Sequence, residues 1–224
     1  MYLSRVELDT DNYQVRRVLG SPRVVHGIVE GCFLEAAETR DLGTGTRTSA
    51  TVDRKLWRVD SINGKTYLLV LSSGKPDFTG MAARYCAEGA VGETKDYDPL
   101  LESVQRGRRY RFRLCANAVR SVPCRDAKRG KVFAHVTVAQ QEGWLKSRAE
   151  RNGFILDEGS FGVVGTGQAR FWKRGEKDPV TLGLSVFEGE LEVSDRELFV
   201  KALTQGIGRA KAYGCGLLTV AKPI

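Results

Sequence analysis

The chain has no Cys-x-x-Cys pair among its five cysteines and only two histidines in 224 residues. These absences exclude the common zinc-binding spacings, and an odd cysteine count favours free thiols in a reducing compartment over a disulfide framework. No apolar run approaches the length of a membrane helix, and residues 1–5 begin a strand pattern instead of a signal peptide. We therefore expect a cytoplasmic protein that has no membrane partner.

Several motifs of catalysis and nucleotide binding are also missing. The sequence has no His-Glu-x-x-His and no Gly-x-Ser-x-Gly, so we expect no catalytic metal, no cofactor and no serine-hydrolase activity. The glycine run 206–216, in contrast, holds four glycines and two cations. It is not a Walker loop, and Lys211 stands where a Rossmann fingerprint needs its third glycine. A structural turn and a phosphate-binding loop both remain open for this run.

The positive charge is concentrated in the second half of the chain. The net charge is +8, from 35 Lys and Arg against 27 Asp and Glu. Residues 1–100 contain 13 basic and 14 acidic side chains, whereas residues 101–224 contain 22 and 13. Clustered cations attract an anionic polymer, because each neutralised phosphate releases counterions. The second half therefore predicts a nucleic-acid partner, and a solvated surface without a partner is the alternative.

The first half has the pattern of one small α+β domain. Residues 2–8 alternate between apolar and polar side chains, as in a half-buried strand. Ser21-Pro22 predicts the start of a helix with apolar residues at helical spacing. Two strand-like runs flank Asn63-Gly64, a pair typical of hairpin turns. A short helix is expected over residues 79–87, and the last strand of the domain is hard to discern.

The second half repeats this order of elements. Residues 109–114 alternate three arginines with three apolar residues, which predicts a strand with a cationic face. A helix is expected over 138–151, followed by a ribbon whose arms are joined through residues 173–177. Phe171 and Trp172 lie on this ribbon and are expected in the core.

The end of the chain supplies the remaining elements. A long strand pattern covers residues 184–193, and Ser194 with Glu197 forms a capping box for a helix that ends at Gly206. A final strand pattern covers residues 216–220. Two βαββαβ units in series define the predicted fold class, α+β with tandem ferredoxin-like domains. The predicted parts are an N-terminal domain over 1–98, a linker over 99–107 and a C-terminal domain over 108–224 that carries the ribbon and the glycine run.

Several motifs also occur in the order that one family shows. They are residues 1–4, His26, residues 111–117, Trp144, Leu145, residues 187–191 and the glycine run. On these residues the chain resembles the CasE family, the CRISPR-associated endoribonucleases of the Cascade complex, over nearly its whole length. The resemblance implies two ferredoxin-like domains and recognition of a stem-loop in CRISPR repeat RNA. It also implies one metal-independent cut at the base of the stem and retention of the product with the other Cascade subunits.

His26 is the residue predicted to be catalytic. An imidazole gains and loses a proton near neutral pH, and RNA supplies its own nucleophile in the 2′-hydroxyl group. Attack on the adjacent phosphorus leaves a 2′,3′-cyclic phosphate and a 5′-hydroxyl. Arg23 and Glu30 share a helix stripe with His26, so Arg23 is expected to hold the phosphate and Glu30 to orient the imidazole. Without the resemblance, a helix histidine that has no catalytic role is the alternative.

The resemblance adds one agreement and one departure at the site. Lys211 matches the lysine in the glycine loop of the family and is expected to contribute electrostatically to catalysis. Arg23 occupies the position of a tyrosine that assists the histidine in the family, and an arginine is a poor proton shuttle because it stays protonated. Tyr13 is a further candidate for the second proton-transfer group, and His135 is expected to be an ordinary surface or core histidine.

Recognition of an RNA stem should depend on shape and phosphate contacts, because the A-form major groove hides the base edges. The residues predicted to bind RNA are Arg111, Arg113, Lys128, Arg129, Lys131, Arg170, Lys173, Arg174, Lys177, Gly206, Gly208, Arg209, Gly214 and Gly216. Two functions compete with that of a nuclease. They are a non-cleaving RNA-binding scaffold of the same fold and a general nucleotide-metabolising enzyme.

Overall fold

The structure is a computed structural model that describes residues 1–33, 55–123, 130–172, 175 and 178–222. The chain divides into two compact units. The first is Met1–Glu102 with Ala212–Gly214, and the second is Ser103–Lys211 with Cys215–Ile224. The domain limits expected from the sequence, with a linker over 99–107, stay a prediction.

The first unit is built on one antiparallel sheet. Its elements are β1 (Tyr2–Leu8), α1 (Tyr13–Leu19), α2 (Pro22–Gly31), β2 (Leu56–Ile62), β3 (Lys65–Ser72), α3 (Thr79–Tyr85), β4 (Glu93–Asp96) and α4 (Asp98–Glu102). The strand order is β2-β3-β1-β4, and every neighbouring pair is antiparallel. This order is that of a ferredoxin-like βαββαβ unit.

Most elements of the first unit lie where the sequence predicts them. Asn63 and Gly64 connect β2 to β3 with φ values of 52° and 77°, as a two-residue hairpin turn of this kind requires. The last strand is β4, which has no apolar alternation because all four of its residues are exposed. The helix α1 was not predicted, since only Val15 of its seven residues is buried.

The helix α2 presents one face to the core and the other away from it. Pro22, Val25 and Val29 are buried on α2, and the core that they join includes Trp57 of β2 and Leu68 of β3. Proline at the first position and valines at helical spacing explain both the start and the orientation of this helix. His26 borders the buried face of α2 and is partly exposed, whereas Arg23 is exposed.

The second unit has a five-stranded sheet and a separate hairpin among its described residues. Its elements are β5 (Arg109–Ala116), β6 (Val119–Val122), β7 (Lys131–Ala134), α5 (Val138–Ala149), β8 (Phe154–Ile155), β9 (Phe161–Phe171), β10 (Val180–Val193), α6 (Arg196–Gln205) and β11 (Leu218–Ala221). The strand order is β11-β5-β10-β8, and β9 also pairs with β10. The pair β6–β7 forms a hairpin between β5 and α5. The predicted fold class, α+β with tandem ferredoxin-like domains, is confirmed.

Two local predictions in the second unit were wrong. The N-cap of α6 is Asp195, whose side chain accepts a hydrogen bond from the backbone N–H of Leu198 at 2.9 Å; it is not Ser194, because the chain enters the helix one residue later than the motif suggests. Trp172 is 55% exposed, whereas Phe171 is buried as expected. The ribbon itself is confirmed, since Phe171 pairs with Val180 where β9 meets β10.

Candidate functional site

His26 lies in the middle of α2 with its ring partly exposed. The side chain is 35% exposed, and its Nδ1 atom is 3.9 Å from Oε1 of Glu30. That distance is too long for a hydrogen bond, and Nδ1 is buried with no hydrogen-bond partner among the described residues. The interpretation that Glu30 orients the imidazole therefore does not rest on a direct hydrogen bond. The half-exposed ring leaves His26 able to exchange a proton with a bound ligand.

Lys55 is a cation beside Glu30 that no sequence pattern indicated. Its Nζ atom donates a hydrogen bond to Oε2 of Glu30 at 3.0 Å and lies 4.9 Å from the ring centroid of Phe33. The side chain is only 13% exposed. Lys55 thus holds the Glu30 carboxylate on the side of the helix that bears His26. It precedes a strand, and no local motif connects it to α2 in the sequence.

The other catalytic candidates of the first unit lie on its surface. Arg23 is exposed in the first turn of α2. Tyr13 begins α1 and is 68% exposed. Both side chains are accessible to a ligand, and their roles in catalysis stay predictions.

The cationic face predicted for β5 is an array of arginines and glutamates. The register between β5 and β10 places Arg109, Arg111 and Arg113 opposite Glu192, Glu190 and Glu188. Arg109 binds Glu192 at 3.1 Å and Asp157 at 2.9 Å, and Arg113 forms an ion pair with Glu188. The glutamates on β10 therefore balance much of the positive charge that residues 109–114 show by themselves. RNA binding by Arg111 and Arg113 stays a prediction.

The glycine run packs against large side chains of the protein. Gly208, with φ 85°, lies so close to Trp144 that a Cβ atom there would be 3.2 Å from the ring. A Cβ on Gly214 would be 2.7 Å from Trp57, and one on Gly216 would be 2.7 Å from the carbonyl oxygen of Ile207. Gly214 and Gly216 are buried. Close packing is thus sufficient reason for glycine at these two positions, and their contact with RNA stays a prediction.

The two cations of the run have different surroundings. Nζ of Lys211 donates to the backbone oxygen of Gln205, the last residue of α6, at 2.6 Å. Gly206 ends that helix with φ 72°. Arg209 is exposed, and a β-bridge to Asn117 fixes its backbone. Lys211 thus stabilises the end of a helix, and its catalytic role stays a prediction, as does RNA binding by Gly206, Gly208 and Arg209.

We expect Gly216→Ala to destabilise the protein by about 2–5 kcal/mol. The left-handed backbone costs alanine about 1–2 kcal/mol, and the contact with Ile207 adds an overpacking cost of about 1–3 kcal/mol. The matched control is Gly107→Ala, because Gly107 has φ 78° with open space around it and so carries only the backbone cost. Urea denaturation of both variants measures the difference. Equal losses would contradict the packing role of Gly216.

The remaining predicted RNA-binding residues are exposed where the structure describes them. Lys131 is the first residue of β7, and Arg170 lies on β9 with its guanidinium carbon 5.6 Å from the ring centroid of Trp172. Five others lie outside the described residues, namely Lys128, Arg129, Lys173, Arg174 and Lys177.

A groove in the second unit brings together basic side chains that are far apart in the sequence. It encloses about 820 Å³, and its basic lining residues are Arg120, His135, Arg148, Arg151 and Arg209. No acidic side chain of the described residues lines it. Only Arg209 of this set was predicted to bind RNA, and His135 proves to lie among arginines. Arg148 and Arg151 lie three residues apart, but the other three come from separate segments, so no spacing in the sequence identifies the groove.

The described residues contain no group of three or more His, Cys, Asp or Glu side chains that could hold a metal ion. No helix in the described part of the chain is long and apolar enough to span a membrane. Cys32, Cys86, Cys115 and Cys215 form no disulfide bond. Burial, chiefly, raises the pKa of Cys32 to about 11, so this thiol is protonated and unreactive at neutral pH.

The described residues define an α+β protein with tandem ferredoxin-like units and a groove lined by basic side chains. Comparison with known proteins then places it among its relatives. Residues 1–222 match the family model described as "CRISPR associated protein". The chain is also 34% identical to the CRISPR-associated endoribonuclease Cse3 of Thermus thermophilus, over 99% of this chain and all of that protein. The chain therefore belongs to the CRISPR-associated family of the Cse3 (CasE) endoribonucleases, and the resemblance noted in the sequence is confirmed.

Solved structures support the same assignment. A structure of CRISPR endoribonuclease Cse3 bound to a 19-nucleotide RNA matches with a TM-score of 0.75 and 28% identity, over 98% of each chain. Thermus thermophilus Cse3 bound to an RNA that represents a pre-cleavage complex matches with a TM-score of 0.74 and 26% identity, over 98% of each chain. Cas6e of Escherichia coli K-12 shares the fold, with a TM-score of 0.62 and 21% identity over the full length of both chains.

Proposed function

We propose that this protein is an endoribonuclease that cleaves CRISPR precursor RNA at the base of the repeat stem-loop. It then stays bound to the mature guide RNA as a subunit of the Cascade complex, in the cytoplasm. The observation that carries the proposal is the half-exposed His26 on α2, in a chain that is 34% identical to the endoribonuclease Cse3 over its full length. The RNA-bound structures of Cse3 support RNA as the substrate.

The proposed reaction needs a proton carrier and positive charge. The 2′-oxygen of the RNA attacks the adjacent phosphorus, the bond from phosphorus to the 5′-oxygen breaks, and the proton of the 2′-hydroxyl leaves as the 5′-oxygen gains one. His26 accepts the first proton or donates the second. Arg23, on the same helix, stabilises the charge that develops on the phosphoryl oxygens. The nucleophile belongs to the substrate, so we propose that no metal ion is needed.

A non-cleaving RNA-binding scaffold is the second candidate. One feature favours it, because Arg23 stands where the family has a tyrosine and a guanidinium group does not release its proton at neutral pH. End-labelled repeat RNA incubated with the protein in EDTA separates the two candidates. Cleavage at one position supports the nuclease, and tight binding without cleavage supports the scaffold.

The same experiment needs two controls. A repeat whose stem is scrambled on one strand should not be cut, because recognition of A-form geometry requires a paired stem. Free ribonucleotides should not compete with the repeat at equal concentration. Cleavage that is indifferent to the stem, together with binding of free nucleotides, would favour a nucleotide-metabolising enzyme instead.

We expect Glu30→Gln to reduce the rate constant of cleavage by less than about tenfold, well below the factor of about 10²–10⁴ that a general acid–base group contributes. The separation of 3.9 Å between Glu30 and His26 allows an electrostatic influence on the ring but no direct hydrogen bond. The matched control is Glu7→Gln, since Glu7 forms a similar ion pair with Lys65 at 2.9 Å. Single-turnover rates measure both. A loss for Glu30→Gln as large as that for His26→Ala would contradict this assignment.

A further inference from the structure

We propose that Lys55 is a positioning residue that sets the protonation state of His26 by holding the Glu30 carboxylate away from the imidazole ring. Lys55 acts in the reaction proposed above, and to that extent this role rests on the proposed function. It adds a residue that no motif of the sequence connects with the site, and it identifies the nitrogen through which the ring exchanges a proton with RNA. The three side chains belong to the first unit.

The buried nitrogen of His26 identifies the part of the ring that a ligand can reach. Nδ1 is buried and has no hydrogen-bond partner among the described residues, although the side chain as a whole is 35% exposed. A bound RNA therefore has access to the ring on the edge that carries Nε2. Proton exchange with the substrate belongs to Nε2, and the surroundings of Nδ1 decide how strongly the ring holds its second proton.

Glu30 is the group that acts on the buried nitrogen. Its Oε1 atom is 3.9 Å from Nδ1 of His26, and the two residues are four apart on α2, where side chains of neighbouring turns meet. A carboxylate at this distance favours the charged imidazolium form. A rotation of the Glu30 side chain toward the ring would bring the two atoms into hydrogen-bond range, and the ring would then hold its proton more strongly.

Lys55 holds the same carboxylate from another direction. Its Nζ atom donates to Oε2 of Glu30 at 3.0 Å, so one carboxylate oxygen is bound to a cation while the other faces the imidazole. The positive charge of Lys55 offsets the negative charge that His26 would otherwise experience. The Glu30 side chain is 44% exposed, so water screens both interactions and we expect a moderate effect.

Contacts at the end of α2 fix the Lys55 side chain in this position. It is 13% exposed, and Nζ lies 4.9 Å from the ring centroid of Phe33, which follows α2. Lysine side chains usually keep their charged end in water. Here an aromatic face and a carboxylate hold the ammonium group instead. The charge that offsets Glu30 is therefore in place before any RNA binds.

A purely structural role for Lys55 is the competing explanation of this geometry. The helix α2 has no basic residue in its last turn, and the helix dipole favours a cation near a C-terminal end. Lys55 supplies such a cation from outside the helix, and this alone would stabilise α2. The two roles differ in one measurable property, because only an electrostatic effect on His26 changes the pH dependence of the site.

The other charged groups around α2 do not reproduce this arrangement. Arg23 is exposed in the first turn of the same helix, and Arg17 is exposed on α1, which packs against α2. Arg16 of α1 donates to two backbone oxygen atoms at 2.6 and 2.8 Å. The sheet contributes apolar residues to the core beneath α2. Among the described residues, Glu30 is the one acidic side chain within ion-pair distance of His26.

The test measures single-turnover cleavage of saturating repeat RNA in EDTA from about pH 5.5 to about pH 9. In Lys55→Met, we expect the limb of the pH–rate profile that His26 controls to move about 0.3–0.7 pH unit to higher pH, because the unopposed carboxylate favours the imidazolium form. Along that limb the rate then changes about two- to fivefold at a given pH. Lys55→Met/Glu30→Gln removes both charges and Lys55→Arg removes neither, so both should return the limb to within about 0.2 pH unit of the wild type.

The matched control is Lys65→Met. Lys65 forms an ion pair of similar length with Glu7, at 2.9 Å. Glu7 alternates along β1 with Val6 and Leu8, which belong to the core with α2, so this pair lies on the other face of the sheet. Loss of its charge should leave the limb within about 0.2 pH unit of the wild type, because exposed charges at a distance are largely screened.

NMR provides a readout that does not depend on cleavage. The chain has only two histidines, so the ring-proton signals of His26 and His135 can be followed separately across the same pH range without RNA. The midpoint of the His26 signal should move to higher pH in Lys55→Met and return in Lys55→Met/Glu30→Gln. His135 lies in the second unit, and its signal is the internal reference.

The outcomes separate the role of Lys55 from the proposed function. If the wild type cuts repeat RNA but neither the profile nor the His26 signal moves in Lys55→Met, then Lys55 only stabilises the end of α2 and the nuclease assignment stands. If the wild type never cuts but the His26 signal moves as expected, then Lys55 sets the protonation of His26 and the nuclease assignment fails. A profile that shifts as far in Lys55→Arg as in Lys55→Met would show that charge is not the cause, and it would overturn the role proposed for Lys55.

Discussion

His26→Ala is expected to lower the single-turnover rate of repeat RNA cleavage by about 10²–10⁴-fold while RNA affinity stays within about twofold of the wild type. General acid–base catalysis by one positioned side chain contributes a factor of this size. The ring is 35% exposed, and His26 is not among the buried residues of α2, so its removal should disturb the core little. Cleavage of saturating end-labelled RNA in EDTA, and binding to an uncleavable RNA, are the two measurements.

The control for this prediction is a variant of the same helix. Val24 is 42% exposed on α2, and Val24→Ala should change the rate by less than about twofold, because an exposed substitution of this kind perturbs little. Together the two variants distinguish loss of a proton carrier from loss of the helix. A His26→Ala protein that cuts at the wild-type rate would remove His26 from the mechanism, whatever the RNA-binding results show.

A single 2′-deoxy substitution at the cut position is expected to abolish cleavage without weakening binding more than about threefold. The 2′-oxygen is the nucleophile in the proposed reaction. Its removal therefore leaves no group that can attack the phosphorus. The loss of one hydroxyl group costs at most one hydrogen bond in the bound state, typically about 0.5–1.5 kcal/mol. The readout is the fraction of end-labelled RNA that is cut in EDTA after the wild-type substrate has been consumed.

The products provide an independent check of that prediction. The downstream fragment should accept phosphate from a polynucleotide kinase without prior phosphatase treatment, since its 5′-hydroxyl is free. The upstream fragment should carry a 2′,3′-cyclic phosphate by mass spectrometry. Cutting of the deoxy substrate, or a requirement for added Mg²⁺, would refute the mechanism but would leave open an RNA-cleaving enzyme of another type.

Local patterns predicted the regular parts of the fold well. The Asn63-Gly64 turn, the alternation in β5 and the start of α2 at Pro22 depend on neighbouring residues, so one stretch of sequence contains all the information. The elements that were missed have little periodicity. Strand β4 is exposed along its length, and Asp195 and Ser194 are both good N-cap residues, so the choice between them depends on the angle at which β10 enters α6.

The candidate site was less predictable because it depends on contacts between distant segments. The pairing of Arg113 with Glu188 follows from the register of β5 on β10, which the sequence of either strand alone does not specify. The position of Lys55 beside Glu30 and the meeting of Arg120 with Arg209 in one groove follow from tertiary packing. His26 could be predicted as catalytic from the sequence, because histidine is the residue type that exchanges protons near neutral pH and because the family resemblance includes it.

The composition of the first compact unit has a consequence for biosynthesis. That unit includes Ala212–Gly214, and the space beside Gly214 is filled by the ring of Trp57. A growing chain cannot cover that ring until residue 214 has left the ribosome, long after β1 to β4 have emerged. A fragment that stops at Glu102 would expose an indole surface that the full-length protein hides. We therefore expect the first half, when it is translated alone, to be more prone to aggregation and proteolysis than its own complete sheet suggests.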